Sequence, residues 1–223
     1  MEILYEDNHI IAVNKSSGEI VQGDKTGDKP LSEILKEYLK EKYQKPGNVF
    51  VGVVHRLDRP ATGVVVFAKT SKALTRMNEI FRDRSVEKKY WIITAKMPDP
   101  PEGRLVHYMI RKESQNKSFV YDREQKDSQR CELEYSLLSK SDRYFFVEVF
   151  LHTGRHHQIR AQFAAIGCPV KGDLKYGSPR SNEDGSICLH ARSVEFIHPV
   201  KQEMVKIVAP VPNDKLWRAF EGE

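Results

Sequence analysis

The chain has 223 residues, enough for one large domain or two small ones around a sizeable core. Hydrophobic residues make up 39% and charged residues 30%, which excludes a disordered chain, and the longest apolar runs, such as VVVFA, are too short for a helical membrane span. The net charge of +5 admits a nucleic-acid partner without requiring one. The N-terminal MEILYEDNHI carries early acids and no basic-then-apolar pattern, so no export and a cytoplasmic location are expected. Cys131, Cys168 and Cys188 stand far apart with no CxxC, which points to reduced thiols rather than disulfides or a zinc site.

ILYED and HIIAVNK are strand-like runs divided by Asp7-Asn8, a hairpin signal. In LSEILKEYLKEKY, residues Leu31, Ile34, Leu35, Tyr38 and Leu39 recur at helical spacing and predict an amphipathic helix. After the strand VVVFAKT, Ser71 is expected to cap a second helix with the apolar stripe Leu74, Met77, Ile80 and Phe81. KKYWIITA, CELEYSLL and YFFVEVFL read as strands, the middle one by clean alternation of apolar and polar residues. The polar segment from Met97 to Arg130, punctuated by Pro98, Pro100, Pro101 and Gly103, is expected to be an exposed loop or arm, able to touch a substrate. Beyond Thr153-Gly154 a helix-like stretch turns Ile159, Phe163 and Ile166 inward, and SVEFIHPVKQEMVKIVAP predicts a closing hairpin turned at Pro199-Val200-Lys201-Gln202. No repeat or long linker interrupts the chain, so one domain over 1–223 is expected. Strands outnumber helices without regular alternation, which predicts an α+β fold with a mainly antiparallel central sheet.

Three distant segments are unusual for a plain scaffold. VHRLDRPATGVVVFAK sets a histidine, an arginine and a carboxylate around Leu57, six residues before a buried strand. EKKYWIIT starts a strand with a tyrosine behind two lysines. In LHTGRHHQIRAQFAAIGCPVKGDLKYG and the residues just after it, Arg155, Arg160, Lys171, Lys175 and Arg180 accompany a single acid, Asp173. Such a concentration of cations suits phosphate neutralisation, as it also suits a solvated basic face. His152 and His156, four apart, with His157 beside them, raise the alternative of a metal hydrolase. Against it, no glutamate stands between them in the HExxH manner, and Thr153-Gly154 would break a helix spanning the pair.

In order along the chain, HRLDRPATG, KKYW, TGRHHQIRAQ, GCPVKGDLKYG and LHARSVEFIHP resemble the RluA family of RNA pseudouridine synthases. The resemblance covers nearly the whole chain from YEDNHIIAVNK onward. It implies isomerisation of uridine to pseudouridine in RNA, transfer or ribosomal, with no cofactor, no metal and no membrane. It assigns catalysis to Asp58, Tyr90 and Arg160: the aspartate acts at the anomeric carbon, the arginine ending HQIR keeps it ionised, and the tyrosine stacks on the detached uracil. It assigns substrate binding to His55, Arg56, Leu57, Thr62, Arg155 and Gln158, with Arg56 filling the space left by a flipped nucleotide or holding the phosphates and His55 supporting the loop. A catalytically silent RNA-binding protein on the same fold is the other reading, and Lys88, Lys89, Tyr90 and Trp91 would suit it equally.

The chain departs from the family pattern at supporting positions. T-S-G becomes Ala61-Thr62-Gly63, the histidine after HQIR becomes Gln162, and the proline of an N-K-P-x-G turn is Ser16. The chain starts almost at the catalytic strands, so no S4-like RNA-binding domain is expected ahead of them, and no spare apolar stripe suggests more than a monomer. A lysine cannot reproduce the forked geometry of a guanidinium on a carboxylate. Arg160→Lys is therefore expected to cut turnover severely in an assay of uridine isomerisation, and near-normal turnover would remove Arg160 from its role.

Overall fold

The computed structural model describes residues 1–221. In chain order the elements are β1 (Glu2–Glu6), β2 (Ile10–Lys15), α1 (Leu31–Lys42), the short β3 (Gly52–Val53), β4 (Thr62–Ala68), α2 (Ser71–Arg82), β5 (Glu87–Thr94), β6 (Glu102–Lys112) and β7 (Lys117–Tyr121). Then follow β8 (Gln129–Lys140), β9 (Phe145–Leu151), α3 (Gln158–Ala165), β10 (Leu189–Ile197), β11 (Met204–Val208) and α4 (Lys215–Glu221). This is an α+β fold with mainly antiparallel pairing, as the strand-rich pattern predicts. Among the described residues no helix is long and apolar enough to cross a membrane. The chain divides into two compact units, one of Met1–Val86 with Ala191–Pro210, the other of Glu87–His190 with the segment from Val211.

In the first unit β1, β2, β4 and β10 lie side by side, with β3 on β4 and β11 on β10. All seven residues of β4 are buried, because this strand is covered on both faces. Period-two alternation sorts the two layers. Ile10, Ala12, Val64 and Val66 pack with Met77 of α2 and with Val194, Phe196, Val205 and Ile207. Ile11, Val13, Val65 and Phe67 face Leu31, Leu35 and Leu39 of α1. Each fully buried leucine there contributes about 2 kcal/mol of transfer free energy. The capping residue of α2 is Thr70, one before the expected Ser71: its backbone is extended, and its side chain accepts from the Ala73 amide at 3.1 Å. The closing hairpin forms as predicted, Ile197 pairing with Met204. Its turn is pinned by fully buried His198, whose Nδ1 accepts from the amides of Val200 (3.2 Å) and Lys201 (2.9 Å).

In the second unit the strand order is β5-β9-β8-β6-β7. The expected loop over Met97–Arg130 is instead largely the hairpin of β6 and β7, with β6 also paired along β8 from Glu102↔Ser136 to Met109↔Gln129. The sequence hides it because an edge hairpin is half-exposed and needs few apolar residues; the buried side is Met109 with Cys131, Ala161 and Tyr176. Nor is the alternation in β8 clean. Glu132 is buried; burial would raise its pKa, but Arg104 and Arg130 hold it below the usual carboxylate value. The three cysteines are buried, unpaired thiols.

One glycine is required by geometry. Gly63 has φ +111°, and a Cβ there would stand 2.3 Å from the Ala191 carbonyl oxygen. A side chain at this point meets backbone rather than a yielding side chain. Gly63→Ala should destabilise the protein by about 3 kcal/mol or more, read as a lower urea midpoint; an unchanged midpoint would contradict the packing described.

Candidate active site

The loop carrying HRLD joins β3 to β4, and its anchor is a lysine. Lys15 continues the inward face of β2, is 1% exposed, and cannot reach water. Its Nζ donates to the carbonyls of Ser16 (2.9 Å), Arg59 (2.9 Å) and Ala61 (2.6 Å). The Gly18 amide donates to the same Arg59 carbonyl, and the Ala61 amide closes a turn on the Asp58 carbonyl at 3.0 Å. The backbone following Asp58 is thereby fixed. Burial pushes the Lys15 pKa down to about 8, and the carboxylates of Glu19 and Asp58 act in the opposite direction.

On the other side of Asp58, His55 Nε2 accepts from the Val66 amide at 3.0 Å, and its ring stacks on Phe81. A ring nitrogen that accepts carries no proton, so this bond selects the neutral Nδ1–H imidazole. Leu57 packs into the layer facing α1, and Thr62 is buried at the start of β4. Asp58 itself is half-buried, Arg56 is exposed, and Arg59 pairs with Asp28 at 2.6 Å. The loop thus has its apolar and backbone groups tied inward while Arg56 points to solvent.

In the second unit, Tyr90 is buried on β5 opposite Val149 of β9. The segment before α3 is a hydrogen-bonded knot. The Glu132 amide donates to Thr153 Oγ1 at 2.8 Å, and Gln158 Oε1 accepts from the Thr153 hydroxyl (2.8 Å) and the Arg155 amide (3.0 Å). Gln158 Nε2 donates to the Glu132 carbonyl (3.1 Å) and Gln162 Oε1 (3.0 Å). The side-chain amide of Gln158 is therefore saturated and 3% exposed, and it fixes the start of α3 on β8. Arg155 is half-exposed beside it.

Arg160 is 4% exposed and lies on α3, where Nε and Nη2 donate to Asp173 Oδ2 (2.6 Å) and Oδ1 (2.9 Å). Its guanidinium carbon stands 5.1 Å from the centre of the Tyr176 ring. Asp173 is also buried, so the pair is desolvated and depends on this two-point geometry. The basic segment therefore spends one cation internally, while Lys175 and Arg180 remain exposed. The three histidines of the metal alternative turn to separate partners: His152 to Glu134, His156 to Asn116 and Ser118, and His157 to Tyr176. Among the described residues no group of three or more potential metal ligands converges.

Sequence reasoning passed over Lys15, Asp173 and Tyr176 as site residues. The first had a signal, since Lys15 falls two residues after Val13 on an otherwise apolar face. Asp173 also had one, as the sole acid among five cations.

The fold has known counterparts. The RNA pseudouridylate synthase family profile matches residues 9–165. An uncharacterized RNA pseudouridine synthase of Synechocystis sp. is 31% identical over 95% of this chain and 66% of its own length. Ribosomal large subunit pseudouridine synthase D of Xylella fastidiosa is 31% identical, over 96% of this chain and 67% of its own. For tRNA pseudouridine synthase C of Vibrio cholerae the identity is 28%, over 100% and 95%. The chain thus spans about two thirds of the length of the first two relatives and nearly all of the third. In fold it is similar to the human RNA pseudouridylate synthase domain containing 4 protein, with TM-score 0.83 and 24% identity over 99% of this chain and 92% of that one. The human domain containing 1 protein gives TM-score 0.73 and 21% identity, over 98% and 86%. This chain belongs to the RNA pseudouridylate synthase family.

The clamp on the loop makes a direct expectation. Lys15→Met keeps the volume but removes the ammonium that donates to the Ser16, Arg59 and Ala61 carbonyls. It should cost about 2–4 kcal/mol of stability and loosen residues 58–61, measured as faster amide exchange at Ala61; unchanged exchange would show that the lysine does not hold the loop.

Proposed function

We propose that this chain isomerises specific uridines to pseudouridine in structured RNA, transfer or ribosomal, as a cytoplasmic monomer without cofactor or metal. Both compact units belong to one catalytic domain, since the chain leaves the first at Val86 and returns to it at Ala191. In the reaction the bond from C1′ to N1 breaks, the uracil turns, C5 bonds to C1′ as the C5 proton leaves to water, and N1 takes up a proton in exchange. Atoms are conserved and nothing is oxidised.

Asp58 serves at the ribose, either by attacking C1′ or by taking a sugar proton to give a glycal. A carboxylate enclosed with a base tends to take up a proton, because desolvation disfavours its charge, and the guanidinium of Arg160 opposes this. Tyr90 stacks on the detached uracil near C5. The target nucleotide leaves its stack at a cost of roughly a few kcal/mol, and exposed Arg56 fills the vacated space or holds the phosphates. Arg155 meets the backbone phosphates, while His55, Leu57 and Thr62 hold the loop against the incoming nucleoside.

The observation that carries this reading is the fixed backbone around Asp58, tied by Lys15 on one side and by His55 on the other. A reacting carboxylate must be held to a fraction of an ångström, which a free surface turn cannot provide. Relatives named for ribosomal and for transfer RNA support a structured RNA as the substrate.

The alternative of a silent RNA binder is separated by Asp58→Asn. A binder has no use for a carboxylate that repels phosphate. Tritium release from total RNA labelled at uridine C5, taken from cells lacking the gene, should fall by more than ~10³-fold in this variant, while RNA binding stays the same or tightens. Collapse of binding in a folded variant would give Asp58 a structural role instead.

A further inference from the structure

The buried ring of Tyr176 lies between two parts of the second unit. On one side is Arg160, its guanidinium carbon 5.1 Å from the ring centre, while both forks of that guanidinium hold Asp173. On the other side is the end of the β6–β7 hairpin. The Tyr176 hydroxyl accepts from the Ser118 amide at 2.8 Å and meets His157 Nδ1 at 3.0 Å. Lys117 Nζ also lies over the same ring, 5.1 Å from its centre.

Further bonds join this corner to the hairpin tip. The Ser118 hydroxyl donates to the His156 carbonyl at 2.7 Å, His156 Nε2 lies 3.1 Å from Asn116 Oδ1, and Lys175 Nζ donates to the Asn116 carbonyl at 3.0 Å. The stacked rings of His156 and His157, 3.7 Å apart, connect these bonds to the start of α3. The tip itself is polar and exposed, and it carries Arg111 and Lys112. Cations held outward on a docked hairpin suit contacts to phosphate.

We propose that Tyr176 is a positioning residue with two separable duties: its ring holds the Arg160 guanidinium, and its hydroxyl holds the β6–β7 hairpin in place for RNA. The proposal rests on the role given to Arg160 above. It follows from the chemistry of a phenol. The ring face attracts a cation whether or not the hydroxyl is present, whereas the Ser118 amide needs the oxygen. Removing the oxygen should therefore affect the hairpin, and removing the ring should also affect Arg160.

The test compares Tyr176→Phe and Tyr176→Leu in steady-state tritium release from the same C5-labelled total RNA, with amide exchange at Ser118 measured in the free protein. Tyr176→Phe should keep kcat within about twofold while the apparent KM rises about tenfold and the Ser118 amide exchanges about tenfold faster. Tyr176→Leu should show the same KM change and, in addition, lose at least about tenfold in kcat. A merely structural tyrosine would reduce the active fraction and so lower kcat at unchanged KM in both variants, and that result overturns the proposal, as do unchanged constants. Should the leucine variant fail to fold, the phenylalanine variant decides: unaltered KM with unaltered exchange at Ser118 is then the contrary result. If Asp58→Asn and Arg160→Lys lose activity as expected while both Tyr176 variants behave like the parent, this inference alone fails. Full activity in those first two variants would instead remove the reading on which it rests.

Discussion

An ammonium group enclosed by carbonyl oxygens holds the HRLD loop together. Lys15 sits where the alternation of β2 would place an apolar side chain, and its charge is compensated by three backbone dipoles instead of water. Two of those carbonyls, Arg59 and Ala61, belong to the turn that follows Asp58. Burying a charge is costly unless it is fully hydrogen-bonded, so the strand and the turn can only be stable together. The sheet thereby fixes a loop that has little regular structure of its own. The Gly63 contact with Ala191 acts at the far end of the same loop, where only a residue without a Cβ lets the strands close.

The second unit follows the same physics with a different cation. Arg160 is buried and needs Asp173 in a two-point pairing, and that pair is roofed by Tyr176. Gln158, one turn-start earlier, spends its whole amide on Thr153, Arg155, Glu132 and Gln162. The helix is thus oriented by polar contacts at its start and by a charged pair in its middle. Apolar burial alone, which is non-directional, would not fix the rotation of so short a helix. Membership of the RNA pseudouridylate synthase family fits a molecule that invests buried polar bonds in placing a few side chains.

Several features could be read directly from the residues. The hairpin at Asp7-Asn8, the helix with Leu31, Leu35 and Leu39 inward, and the hairpin turned at Pro199-Gln202 all rest on short-range patterns that the tertiary structure reinforces. Thr70 rather than Ser71 caps α2 because either hydroxyl suits the role, and backbone direction at the end of β4 chooses between them. The segment Met97–Arg130 misleads because a half-exposed edge hairpin carries charge at positions where a central strand would be apolar. In β8, Glu132 breaks the alternation since two guanidinia accompany it inward.

The sequence by itself determined the α+β character, the principal strands and helices, and the separated motifs that mark the family. Each is a property of local periodicity or of residue order, and survives without knowing what packs against what. Only the tertiary structure decided that Lys15 grips the loop after Asp58, that Asp173 pairs with Arg160, and that Tyr176 joins this pair to a hairpin. In the second and third cases the partners lie 13 and 58 residues apart, as with Arg160 to Asp173 and Ser118 to Tyr176. A hydrogen bond forms wherever the folded backbone brings donor to acceptor, and spacing along the chain carries no record of that distance.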